Sequence, residues 1–177
     1  MRPEHVIAVV RRTRNVQIWP HASDAANNYC IDVGPVTDLL PHRDPFLLVD
    51  KILEADLLGQ RLRAEYVVRR DNPIFEGHFP GDPVYPGVLL VETAGQTAVC
   101  LANLLYQQDE EIGATPQIRA TRLHHASFFH IVRPGYTLEV QVAILELDSI
   151  TCTFVGQVWA KGLLCCLTVG EFYVASS

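Results

Sequence analysis

The chain reads as an α+β fold in which an antiparallel β-sheet wraps one long buried helix. Three observations carry that reading. Val88–Tyr106 holds no proline and is apolar around its whole circumference, and a helix apolar on every side must be covered on nearly every side. Strand-like segments precede this helix and a longer series follows it, several with apolar and polar residues alternating at period two. The joints carry short turn signals, Gly59-Gln60, Asp148-Ser149 and Lys161-Gly162, and short joints make antiparallel neighbours. A sheet folded around the helix satisfies all three.

Taken in order, residues 1–36 form an N-terminal extension and residues 37–177 the main domain. Val6–Val10 is too short for a signal-peptide core, and arginines rather than a small-residue cleavage site follow it. The run is expected to be a short strand on an edge of the body, or part of a solvated arm that a chain starting near Val36 does without. Trp19–Asn28 is small and polar apart from its tryptophan and reads as a connector. Thr37–Leu40 is a helical turn stopped by Pro41. Phe46–Glu54 opens the strands, and Arg61–Val68 points Leu62, Ala64, Tyr66 and Val68 to one face.

Gly77–Pro86 holds three prolines and two glycines, so it is irregular, and the helix starts at Pro86 or Gly87. After the helix, the acidic segment Gln107–Thr115 is a solvent loop. Four strands then follow: Gln117–Phe128, Thr137–Leu145, Ile150–Ala160 and Leu163–Val174. Leu163–Val174 is apolar on both faces, so a second layer is expected over its outer side.

Composition removes several function classes. The formal charge is −6, with 4 Lys/Arg against 3 Asp/Glu before Val36 and 10 against 17 from there on. An acidic body without a basic cluster is not a general nucleic-acid binder. The long helix is a poor membrane span, because Glu92, Gly95, Gln96 and Asn103 interrupt it and no Lys or Arg flanks it. Five cysteines without C-x-x-C spacing indicate neither a zinc site nor a disulfide framework. They read as small buried hydrophobes in a reducing, cytoplasmic compartment.

The chemistry gathers at the start of the long helix. His78 on the loop and Glu92 in the helix lie 14 residues apart. Between them are the free N–H groups of a helix N-terminus, which favour developing negative charge. A base, an acid and an oxyanion donor are what proton abstraction next to a carbonyl needs, followed by loss of a leaving group. Glu92 in apolar surroundings also needs a partner, and Gln96 lies one turn away on the same face. The alternative is a surface histidine and a helix edge that meets water at Glu92.

LLPHRDPFLLVD (Leu39–Asp50), GHFPGDPVYPG (Gly77–Gly87) and VETAGQ (Val91–Gln96) resemble the motifs of the β-hydroxyacyl-carrier-protein dehydratases of bacterial type II fatty acid synthesis. The likeness runs from about Thr37 to the C-terminus. It implies a hotdog fold, with His78 as the catalytic histidine and Glu92 as the catalytic acid supplied from the partner chain. Gly87 matches the position whose backbone N–H polarises the thioester carbonyl, and Gln96 the glutamine that supports the acid. No metal and no organic cofactor is implied. The partner is an acyl carrier protein, and the assembly a homodimer or a trimer of dimers. Glu92, where an isomerising branch has Asp, favours dehydration alone.

Some positions depart from that pattern. Phe128, Phe129, His130, Ile131 and Val132 stand where the family usually has FRRPV, and Asp44 replaces a common aromatic. The lost basic pair leaves Arg119, Arg122 and Arg133 as candidates to meet an acidic carrier. A specialised acyl or polyketide pathway with its own carrier is compatible with these departures. A hotdog thioesterase, a coenzyme-A hydratase and a non-catalytic subunit of a mixed dimer are the competing readings.

Overall fold

The computed structural model describes residues 1–19, 34–108 and 117–175. Helix α1 (Pro3–Asn15) is followed by the single turn α2 (Val36–Leu39), strands β1 (Lys51–Asp56) and β2 (Arg61–Val67), the single turn α3 (Ile74–Gly77) and the long helix α4 (Gly87–Gln107). Strands β3 (Gln117–Phe128), β4 (Thr137–Leu147), β5 (Thr151–Ala160) and β6 (Leu163–Ala175) complete the described chain. The strands form one six-stranded sheet in the order β1-β2-β4-β5-β6-β3, with every neighbouring pair antiparallel. This is the hotdog architecture.

Local chemistry explains the joints. Lys161 and Gly162 both take positive φ, 52° and 74°, as a two-residue turn between twisted strands requires. On the inner face of the sheet Leu62, Ala64, Leu138, Val140 and Val158 meet Leu90, Ala94, Ala98 and Leu101 of α4, all buried. At about 1.5–3 kcal/mol for each large apolar side chain, this layer is the main source of stability. Helix and sheet come closest where a Cβ on Gly156 would lie 2.9 Å from the Ala94 methyl, so β5 needs glycine there. By length and composition α4 could cross a membrane, but most of it is buried beneath the sheet. Cys100, Cys152, Cys165 and Cys166 are free and buried; burial pushes the Cys100, Cys152 and Cys166 thiols up to about 12.

Two expectations are overturned. Val6–Val10 is neither an edge strand nor part of a solvated arm; it lies within α1. Val6, Val9 and Val10 follow helical spacing, and Pro3 stands in the first turn, where its missing N–H costs nothing. The helix lies on the outer face of the sheet, where Met1, Val9, Val10, Ile18 and Phe129 pack on Val155, Leu167 and Val169. This supplies the second layer expected over β6. The chain after α1 is bonded down as well. Gln157 Oε1 accepts from Ile18 N at 2.9 Å and Gln141 Oε1 from Trp19 N at 2.8 Å, while Gln157 Nε2 donates to the Thr13 and Val16 carbonyls.

The other correction concerns the first strand, which starts at Lys51 rather than Phe46. Ahead of it, the backbone of Phe46 and Leu48 bonds to the Gln96 side chain of α4 instead of to a strand. Most of the Trp19–Asn28 connector, Cys30 and the acidic loop after α4 lie outside the described residues.

Candidate active site

His78 caps α3, where its N–H closes on the Ile74 carbonyl at 3.0 Å. The loop that follows is fastened at several points. Val84 N donates to the His78 carbonyl at 2.9 Å, Tyr85 N donates to the Val132 carbonyl at 2.8 Å, and Arg133 Nη1 reaches Asp82 Oδ1 at 2.6 Å. The buried Tyr85 ring packs among Tyr66 and Phe75, which fixes where the chain turns into α4. His78 Nδ1 lies 2.8 Å from the Val84 carbonyl. A carbonyl only accepts, so Nδ1 is the donor, and in the neutral ring the lone pair that can take a proton is on Nε2.

His78 and Gly87 line one cavity of about 420 Å³, with Val84, Leu90, Phe128 and Val132 among its apolar walls. Gly87 is the first residue of α4; Leu89 N already donates to the Pro86 carbonyl at 3.0 Å, while the amides of Gly87 and Val88 come before any helical carbonyl that could take them. A Cβ on Gly87 would lie 2.9–3.1 Å from three atoms of the Phe128 ring, so glycine is what lets that ring approach the helix end.

Glu92 and Gln96 line a different cavity of about 370 Å³, with His42, Arg119, Ile118 and Phe172. Gln96 is 1% exposed and fully bonded. Its Nε2 donates to Glu92 Oε1 and to the Phe46 carbonyl, both at 2.9 Å, and its Oε1 accepts from Leu48 N at 2.8 Å. The Glu92 side chain is 35% exposed in the single chain. Thus the structure joins Glu92 to Gln96 and places His78 beside Gly87. Among the described residues of one chain, no hydrogen bond or ion pair joins the two halves.

The FabA-like domain profile matches residues 40–168. The 3-hydroxyacyl-acyl-carrier-protein dehydratase FabZ of Nitratiruptor sp. is 35% identical over 135 residues, which span 76% of this chain and 90% of that protein. The chain belongs to the FabA-like dehydratase family. Among solved structures, the dehydratase heterocomplex ApeI:P from Xenorhabdus doucetiae superposes with a TM-score of 0.65 at 18% identity, covering 80% of this chain and 91% of that one. A thioesterase described as putative and phenylacetic-acid-degradation-related, from Ralstonia eutropha, gives 0.52 at 20% identity, covering 70% and 83%. Dehydratases and thioesterases share this fold, so the fold alone does not select the chemistry.

In this FabA-like chain two contacts escape a reading of the sequence. His42 stands with Nε2 3.8 Å from Glu92 Oε1. The PHR run containing it was legible, but not its distance from a residue 50 positions later. The Phe128 ring over Gly87 was equally hidden, since only the fold brings the end of β3 to the start of α4. Asp44 pairs with Arg69 at 2.9 Å on the surface. Of the three arginines, Arg133 is engaged by Asp82, while Arg119 and Arg122 are exposed. Among the described residues no cluster of His, Cys, Asp and Glu could hold a metal ion.

Proposed function

We infer that this chain removes water from a (3R)-3-hydroxyacyl thioester on an acyl carrier protein, leaving the trans-2-enoyl thioester, in fatty acid or related acyl or polyketide biosynthesis. His78 Nε2 takes the proton from the carbon next to the thioester carbonyl. The enolate-like oxygen that forms is held by the Gly87 N–H, where the α4 dipole favours negative charge. Glu92 gives its proton to the 3-hydroxyl, the carbon–oxygen bond breaks and water leaves as the double bond forms. Afterwards His78 carries the added proton and Glu92 is a carboxylate; exchange with solvent restores both.

The observation that carries this reading is the 2.8 Å contact between His78 Nδ1 and the Val84 carbonyl in a residue that shares its cavity with Gly87, which leaves Nε2 of the neutral ring as the base. The apolar walls of that cavity suit an acyl chain. Each site draws His78 and Gly87 from one protomer and Glu92 with Gln96 from its partner in a homodimer. Three features support that arrangement. His78 and Glu92 line separate cavities within one chain, among the described residues β3 ends the sheet with one edge unpaired, and Val88, Phe128 and Ile131 expose large apolar surfaces around the His78 cavity. Trimers of such dimers remain compatible. Buried free thiols suit a reducing cytoplasm.

The purified chain, given a 3-hydroxyacyl carrier protein, should yield the enoyl product with the thioester intact. Release of the carrier thiol would indicate a thioesterase. Turnover only after a second hotdog chain is added would indicate a subunit of a mixed dimer.

A further inference from the structure

The cavity around Glu92 holds a second titratable side chain that the two proton transfers leave unused. His42 lies between α2 and β1, with Nε2 3.8 Å from Glu92 Oε1. Its other ring nitrogen, Nδ1, is buried without a hydrogen-bond partner. A neutral imidazole has one N–H to place. On Nδ1 it would be a buried donor with nothing to bond, a costly defect. On Nε2 it faces the carboxylate, and what remains buried at Nδ1 is a lone pair.

The ring leans on Phe46, with centroids 6.3 Å apart, and the Phe46 carbonyl is itself held by Gln96. One oxygen of Glu92 therefore faces two N–H groups, from Gln96 at 2.9 Å and from His42 at 3.8 Å. Among the described residues Oε2 has no hydrogen-bond partner.

We propose that His42 is a positioning residue for Glu92, acting with Gln96 to make Oε1 the accepting oxygen and Oε2 the one that carries the transferable proton. With Oε1 hydrogen-bonded by Gln96 and the His42 ring 3.8 Å from the same oxygen, the acid's own hydrogen is left to Oε2. Once that proton has gone to the leaving hydroxyl, the His42 contact tightens on the carboxylate, as long contacts in the resting enzyme commonly do. This inference rests on Glu92 being the acid.

The test is a kinetic cycle on the full chain with a 3-hydroxyacyl carrier protein. His42→Ala is expected to lower kcat about 10- to 100-fold, with KM within about twofold of the parent. His42→Gln, whose amide nitrogen reaches the place of Nε2, should recover most of the loss. In a Glu92→Gln background His42→Ala should cost nothing further, because the group it positions is gone. An unchanged kcat in His42→Ala overturns the proposal, and so does an equal loss in both backgrounds. If His42→Ala does not fold, His42→Leu, which fills the ring's space without a donor, takes its place. Full turnover by Glu92→Gln would instead refute the acid assignment, so the two failures are distinguishable.

Discussion

Gln96 and Glu92 stand one turn apart on α4 and are joined by a 2.9 Å hydrogen bond, while the same glutamine amide ties down the backbone at Phe46 and Leu48. A single buried side chain thus fixes both the candidate acid and the segment that carries His42. Acid placement and fold stability are coupled at this residue.

Gln96→Leu should expose that coupling. The substitution leaves the Leu48 N–H and the Phe46 carbonyl without their partners in the core. The expected cost is about 2–4 kcal/mol, a fall in Tm of roughly 5–15 °C for a chain of this size. Calorimetry checks this, and kcat should fall with it. A variant with parental Tm would mean that water or another group takes over both bonds.

His78→Ala and Glu92→Gln should each lower kcat about 10²- to 10⁴-fold, the range for losing a positioned base or acid. The double variant should be little worse than either, since the two act on one reaction step. Mixing the two inactive single variants gives the sharper result. If each site takes His78 from one chain and Glu92 from the other, half the sites of a mixed dimer are intact, and activity returns on subunit exchange. Proven mixed dimers that stay inactive would contradict the shared site.

Gly87→Ala should crowd the Phe128 ring, because its new methyl would arrive 2.9 Å from the nearest ring atom. The expected effect is a loss in kcat/KM of about tenfold or more, as the ring or the helix start gives way. Adding Phe128→Ala should recover part of that loss. If the double variant shows no recovery, crowding at Phe128 is not the cause.

Carrier docking is now expected of Arg119 and Arg122, since Arg133 is held by Asp82 at 2.6 Å. Charge reversal at Arg122, which lies outside the Glu92 cavity that Arg119 lines, should raise the KM for a carrier-bound substrate roughly tenfold and leave a small-thioester analogue nearly unaffected. Equal effects on both substrates would argue against docking.

Removal of residues 1–35 should destabilise the protein, contrary to what an unattached arm would do. It uncovers Val155, Leu167 and Val169 and strips partners from the buried Gln141 and Gln157. A lower Tm and concentration-dependent aggregation are the expected outcomes. A truncated chain with parental Tm would show that the outer layer is dispensable.

By itself the sequence determined the long helix, the four late strands to within a few residues, the Lys161-Gly162 turn, and the motifs that bear His78, Gly87, Glu92 and Gln96. Each of these is a local signal: a period, a turn pair or a spacing along the chain. The tertiary structure decided the rest. The apolar run Val6–Val10 could be strand or helix until its partner surface was known, and that surface lies about 150 residues later, on β5 and β6. His42 became relevant only when Gln96 drew the segment before β1 against α4. The division of His78 and Glu92 between two cavities follows from the loop after α3, which holds His78 beside the start of α4, while Glu92 faces Gln96 and the segment carrying His42. Periodicity records that a face is apolar or that a polar group needs a partner; only the folded chain chooses which surface and which partner it meets.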